Sequence, residues 1–191
     1  MKRLIAVLPL LFAGLAHADS AEWKLDTSHT NIGFTVPHLV ISTVEGRFRE
    51  ASATVKLDDA DLTKSAVSVD INAASVDTGD AKRDAHLKDA DFFDVAKHPK
   101  IRFVSTKIAK AGKAYKLTGD LTIRDVKKSV TLDATLSDPV KTPWGNQARA
   151  AKVSGKIKRG DFGLKWNKGL ETGGVLVGEE VTINVTAEVT K

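Results

Sequence analysis

Along most of the chain apolar and polar residues alternate one for one, the pattern of β-strands with one buried and one wet face. Ile32, Phe34 and Val36 alternate with Asn31, Gly33 and Thr35, and Ala51, Ala53, Val55 and Leu57 alternate with Ser52, Thr54, Lys56 and Asp58. The period recurs at Val67, Val69 and Ile71, less cleanly from Ile101 to Ile108, and at Tyr115, Leu117, Gly119, Leu121 and Ile123. Three more runs follow, from Val130 to Leu136, Ala151 to Ile157 and Val181 to Val189. About eight strands are predicted, the first starting near Trp23 and breaking around Asp26 to Ser28.

Between the third and fourth strands the period changes. Asp77-Thr78 is suited to capping a helix whose first turn carries Asp80, and His98-Pro99 must end it, so one or two short helices are expected between Thr78 and Lys97. Ala111-Gly112-Lys113 reads as a hairpin turn, while Asp138-Pro139 with Pro143-Trp144-Gly145, and the glycine-rich stretch from Gly160 to Gly178, read as longer loops. No repeat or linker divides the chain, so its 191 residues carry one domain.

Sequential antiparallel strands in this span can form a sandwich or close into an up-and-down barrel. Several inward candidates are small, namely Ala51, Ala53, Gly119, Ala134, Gly155 and Ala187. An eight-stranded barrel is just wide enough to be filled by its own side chains or to hold one small ligand. Small inward residues suit a hollow barrel, and they equally suit close approach of strands or a helix; the pattern alone leaves both readings open.

The first residues stand apart from this pattern. Lys2-Arg3, the apolar run from Leu4 to Leu15 and the small-x-small Ala16-His17-Ala18 have the form of a secretory signal cleaved after Ala18, which predicts a mature domain of residues 19–191 in the periplasm. The run is too short to span a bilayer and no second one follows, so stable membrane insertion is not expected. Transient membrane contact and a homodimer are both compatible with the chain. Loss of Lys2 and Arg3 lowers the formal net charge from +5 to +3. Basic residues are interspersed with acidic ones rather than clustered, which argues against a nucleic-acid surface. The absence of Cys excludes disulfides, thiolate metal sites and a Cys nucleophile.

Reactive constellations are sparse. His29, His38, His86 and His98 lack H-x-E or H-x3-H spacing, so no metal site is expected. His29 and His38 do not share a simple strand face, unless the strand bulges at Gly33. No G-x-S-x-G elbow is present, and Ser28 and His29, adjacent in a strand, are expected to point apart. Asp58, Asp59 and Asp61, and Asp89, Asp91 and Asp94, read as turn and helix-end acids. No catalytic residue, metal or cofactor is assigned. The densest polar and aromatic segment, Val76 to Pro99, reads as a latched helix: Phe92 and Phe93 plug a barrel end, and Arg83 pairs with Asp84 or Asp94.

Taken in order, several motifs resemble the YceI-like family of exported bacterial proteins. They are Asp26-Thr27-Ser28-His29-Thr30-Asn31-Ile32-Gly33-Phe34 with Val36-Pro37-His38, Gly46-Arg47-Phe48, Ser75-Val76-Asp77-Thr78, Arg83-Asp84-Ala85-His86-Leu87, Asp91-Phe92-Phe93-Asp94, Arg159-Gly160-Asp161-Phe162-Gly163 and Val177-Gly178-Glu179-Glu180-Val181. The resemblance covers essentially the whole mature chain. It implies an all-β, eight-stranded antiparallel lipocalin-like barrel with a long apolar pore, which in some members holds a polyisoprenoid chain. Asp125 stands where a Gly is common in the family, implying altered turn geometry, and Ala150-Ala151 stand where a Gly is usual, implying a reshaped pore.

In such a barrel Ile32, Phe34, Val36, Phe48, Val55, Val69, Ile71, Phe103, Leu121, Ile123, Leu132, Ala134, Leu136, Val153, Ile157 and Ile183 are expected to line the pore wall. Arg83, His86, Phe92, Phe93 and Trp144 are assigned to a pore end or mouth. The expected function is binding of an isoprenoid lipid or quinone chain for transport or sequestration, with each buried CH₂ worth about 0.8 kcal/mol. Two alternatives are a fatty-acid or fatty-amide carrier, with Arg83 or His86 meeting the head group, and a hydrolase or isomerase acting on apolar lipids, with His29 or His86 as base.

Overall fold

A computed structural model describes residues 20–191 except Thr172. The expected signal segment lies outside the described residues. The elements are β1 (Ala21–His38), β2 (Ser42–Phe48), β3 (Ala51–Leu57), β4 (Ala66–Asn72), β5 (Val76–Asp77), α1 (Ala81–Lys88), β6 (Lys100–Ala111), β7 (Ala114–Ile123), β8 (Val126–Leu136), β9 (Val140–Lys141), β10 (Gln147–Lys158) and β11 (Glu180–Thr190).

The strands run β11-β10-β8-β7-β6-β4-β3-β1, every pair antiparallel, and pairing of β1 with β11 closes the sheet. β3 pairs with the first half of β1 and β2 with the second, so β2 and β3 together form one stave across the Arg49-Glu50 corner. The result is the expected closed eight-stranded antiparallel barrel. β2 was hidden in the sequence because Glu45-Gly46-Arg47 breaks its apolar alternation; it is a strand through its pairing with β1.

Three irregularities switch which residues face inward. In β1, Asp26 lies opposite Glu188 and Asn31 opposite Thr186, so residues 27–30 bulge from the ladder. Inward parity passes from odd (Trp23, Leu25) to even (Ile32, Phe34, Val36) across this bulge. The bulge is not at Gly33, which stays in register with Asn184 and Arg47. In β6 a shift between Ser105 and Lys107 passes the inward set from Ile101 and Phe103 to Ile108, which explains the blurred alternation there. The Arg49-Glu50 corner does the same between Phe48 and Ala53.

A single α-helix occurs among the described residues, capped differently from expectation. Asp80, not Asp77-Thr78, accepts from the backbone N–H groups of Lys82 and Arg83. The Asp77 carboxylate is already engaged by the Gly79 N–H at 3.1 Å and by Arg47 and Arg49. The helix stops at Lys88, and turns carry the chain on to Pro99.

The inward glycines and alanines divide between the two open readings. A Cβ on Gly119 would lie 2.4 Å from the Phe103 ring and 2.5 Å from the Val104 carbonyl, and one on Gly155 would lie 2.5 Å from Leu132 Cδ2. These glycines let large neighbours lie flat on the barrel wall. Ala53, Ala134 and Ala187 instead line open space. Gly119→Ala is therefore expected to displace Phe103 and lower stability by about 1–3 kcal/mol in urea unfolding. A parental midpoint would show that the wall accommodates a methyl group there.

Candidate functional site

The barrel encloses a cavity of about 340 Å³, within the range of small-molecule sites. Its wall contains Ile32, Phe34, Val36, Phe48, Val55, Val69, Ile71, Phe103, Leu121, Ile123, Leu132, Ala134, Leu136, Val153, Ile157 and Ile183. It also contains Leu25, Leu57, Leu117, Val185 and Val189, which the sequence analysis did not assign to the pore. Leu117 and Val185 follow the same alternation as Leu121 and Ile183, whereas Leu25 lies beyond the β1 bulge, where a single parity cannot reach. In β11 the wall runs from Val181 to Val189, roughly 26 Å along the strand at about 3.3 Å per residue. The space is elongated and apolar.

Phe92, Phe93 and Leu87 join the wall at the helix-bearing end. Phe93 meets Phe48 edge-on at 5.6 Å, and Phe48 meets Phe34 at 5.7 Å. Arg83 and His86 are placed near this end but outside the wall. Arg83 does not pair with Asp84 or Asp94. Its Nε donates to Thr78 Oγ1 at 2.7 Å and its Nη2 to the Thr78 carbonyl at 2.9 Å. The Thr78 hydroxyl donates in turn to Asp84 at 2.6 Å, so a threonine stands between the expected partners. Asp94 is buried and faces Lys97 and Arg124 instead. His86 lies behind Phe92, with Nε2 2.9 Å from Asp91 and its ring edge-on to Phe92 and Trp166.

Trp144 does not belong with this group. It is 87% exposed on the turn between β9 and β10, at the opposite end of the barrel. That end is closed by Trp23, which is 1% exposed and packs with Leu57, Leu62 and Val67. Arg149 and Lys191 lie over its ring.

Arg159 is the single charged residue of the cavity wall among the described residues. Its Nε donates to the Gly178 carbonyl at 2.8 Å, its Nη1 to Leu164 and Trp166 at 2.6 and 2.9 Å, and its Nη2 to Val177 at 3.3 Å. Burial pushes its pKa down and the Glu179 carboxylate opposes that shift. The guanidinium thereby fastens the 160–178 loop over the barrel end, with Phe162 and Leu164 buried beneath it. Sequence reasoning placed Arg159 in a motif but not in the wall, because its partners lie up to 19 residues away in irregular chain.

On the outer wall, the β1 bulge overturns the expectation that Ser28 and His29 point apart. Ser28 Oγ lies 3.1 Å from His29 Nδ1, which is 2.8 Å from Asp26 Oδ2. Ser28 also donates its N–H and hydroxyl to Asp26 Oδ1. These bonds, those from Ser28 foremost and then His29, hold the Asp26 carboxyl well below the usual carboxylate range. The hydrogen bond and charge of Asp26, with the charge of Glu188, raise His29. Asp26, His29 and Glu188 bring three ligating atoms within 4.8 Å of one another, the arrangement among the described residues that could hold a metal ion. Ser28 and Asp26 share one ring nitrogen of His29, so the imidazole does not bridge them as in a Ser-His-Asp relay, which uses both nitrogens.

A closed eight-stranded antiparallel barrel around an elongated apolar lumen defines a lipocalin-like fold with an interior binding space. Residues 23–189 match the YceI-like domain, and the chain belongs to that family. It is 38% identical over 170 residues to Protein YceI of Escherichia coli O157:H7, covering 86% of this chain and 89% of that protein. The crystal structure of Burkholderia cenocepacia BcnA superposes with a TM-score of 0.76 at 27% identity, covering 86% of this chain and 98% of that one. A Saccharophagus degradans domain, described as polyisoprenoid-binding and implicated in plant cell wall breakdown, shares the fold with a TM-score of 0.61 at 16% identity over 87% of this chain and 97% of that one.

Arg159→Met leaves the carbonyls of Leu164, Trp166 and Gly178 without their donor, while Val177 keeps that of Asn167, and is expected to cost on the order of 3 kcal/mol or more in urea unfolding. A loss below about 1 kcal/mol would show that water replaces the guanidinium. At the bulge, His29 has a raised pKa, so its contact with Asp26 stabilises the fold fully below the ordinary histidine value of 6.5 and is lost as pH rises through the raised one. Asp26, with its lowered pKa, stays ionised in that window. The melting-temperature gap between the parent and His29→Gln is therefore expected to be wider near about pH 5.5 than near about pH 9. A gap independent of pH would refute the coupling.

Proposed function

We propose that this protein is an exported, non-enzymatic carrier that holds one uncharged, chain-like lipid, an isoprenoid lipid or isoprenoid quinone, along its barrel. The observation that carries the reading is an elongated apolar wall whose one charged side chain among the described residues, Arg159, spends four of its five N–H groups on backbone carbonyls. A fatty-acid carrier needs a donor or cation free for the carboxylate. Arg83 and His86, the residues that could serve as one, lie outside the wall. His29 and His86, the bases an enzyme acting on such a lipid would use, lie outside it as well. The polyisoprenoid-binding description of the Saccharophagus degradans domain points the same way. Export rests on the Lys2 to Ala18 segment.

Ala134 lies opposite Tyr115 and Val153 on the neighbouring staves and faces the lumen. A phenyl ring there enters space that the lipid needs. Native mass spectrometry of the parent, purified from the periplasmic fraction without delipidation, is expected to show an organic-extractable ligand on a chain beginning at Asp19. Ala134→Phe is expected to lose most of that ligand while its delipidated form stays within about 1 kcal/mol of the parent. Full loading of Ala134→Phe would contradict occupancy of the lumen, and Met1 on the purified chain would contradict export.

A further inference from the structure

Between β1 and β2 the chain reverses through Leu39, Val40 and Ile41, with His38 paired to Ser42. Leu39 and Val40 have φ of 54° and 65°, a left-handed conformation that hairpins reserve for Gly, Asn or Asp and that strains a β-branched residue. Val40 is 74% exposed and Ile41 84% exposed. Backbone strain and apolar exposure both oppose folding, and neither side chain gains core packing in return. Strain of this kind collects at functional sites.

The tip is braced. Leu39 donates its N–H to the Leu176 carbonyl at 3.0 Å, and His38 bridges to Val177. Gly174 lies beneath Val40, so close that a Cβ there would sit 3.2 Å from Val40 Cγ2. The bracing segment belongs to the loop fastened by Arg159, and its exposed Val175 extends the apolar surface. Val36 and Val177, directly below the tip, are cavity-wall residues. Lys165 and Lys168 are exposed and form no ion pair among the described residues, with Glu171 the only acid between Gly163 and Gly178. Lys168 is tied to the tip's own support, since its carbonyl accepts from Leu176 N–H at 2.9 Å.

We propose that this tip docks the protein onto an anionic lipid bilayer, Val40, Ile41 and Val175 entering the headgroup boundary while Lys165 and Lys168 meet lipid phosphates, so that the lumen's occupant is exchanged at this end. The proposal rests on the reading of the lumen as a lipid site. Membrane attachment of this type adds buried apolar area to attraction for anionic headgroups. A second copy of the chain fits less well: a stable interface takes about 800 Å² per partner, more than a convex three-residue tip presents, and the lysines would face each other.

Cosedimentation with phosphatidylglycerol-containing and with pure phosphatidylcholine vesicles tests this. The parent is expected to partition onto the anionic vesicles, and less so in high salt. Val40→Gly/Ile41→Ser relieves the strain, so it should be at least as stable as the parent by thermal unfolding yet bind vesicles at least tenfold more weakly; Lys165→Glu/Lys168→Glu should lose the preference for anionic vesicles. Parental binding by the tip variant overturns the proposal. So does a parent that is dimeric by analytical ultracentrifugation, becomes monomeric in the tip variant and ignores vesicles. Uptake of a fluorescent geranylgeranyl probe from detergent is expected to be equal in parent and tip variant. Failure of the parent to take up that probe would count against the lumen reading, whereas loss of vesicle binding with uptake intact isolates the tip.

Discussion

Because β1 pairs with β11 along one side and with β3 and then β2 along the other, the sheet closes on itself. Closure sets the demand that every other stave meets: whatever points inward faces an enclosed space and has to be apolar, and a strand long enough to serve two partners has to bend. The residue 27–30 bulge does both for β1. It bends the strand, and it switches inward parity so that Trp23 and Leu25 on one side, and Ile32, Phe34 and Val36 on the other, all face the interior. It also turns Ser28 and His29 onto Asp26 at its edge, forming the polar cluster of the outer face. The apolar wall and the charged outer patch are thus two faces of one irregularity.

Closing the ends of such a barrel calls for irregular chain, and irregular chain brings carbonyls that no ladder satisfies. At the helix-bearing end Arg159 answers that need. A buried guanidinium is tolerated only when its N–H groups are taken up, and the loop carbonyls of Leu164, Trp166, Val177 and Gly178 require donors. The carbonyls take up four of the five guanidinium N–H groups, so the cation in the wall is held by its own loop. The loop then presents Trp166 to His86 and Phe92, with centroids 4.8 and 5.3 Å away, joining it to the segment that follows β5.

Period-two alternation made all the staves but β2 legible, because in a closed sheet inward and apolar are nearly the same property. It failed where the count of residues between partners changes. Ser28 and His29 meet only because four residues of β1 project from the ladder, and β2 is held by its partner despite Glu45-Gly46-Arg47. Polar pairings were the other blind spot. Arg83 has carboxylates near it in sequence, yet it bonds Thr78, since the Asp84 carboxylate is already held by the Thr78 N–H and hydroxyl. Trp144 is a large apolar residue expected at the pore mouth, but its turn lies at the far end and leaves the ring in water.

A lumen of this construction also determines how selectivity arises. Side chains lining an open apolar space lack contact partners on one side, so an occupant supplies dispersion contacts that the empty protein forgoes, and stability rises with occupancy through mass action. Those contacts are non-directional and scale with buried apolar area, so they read the length and girth of a chain far more than the identity of its head. Changes in wall residues such as Ala53, Ala134 and Ala151 therefore alter the size and shape of occupant that fits without touching any hydrogen bond of the barrel. The glycines cannot vary in this way, since Gly119 and Gly155 are already covered by Phe103 and Leu132. Alanines set the bore, and glycines preserve the wall that bounds it.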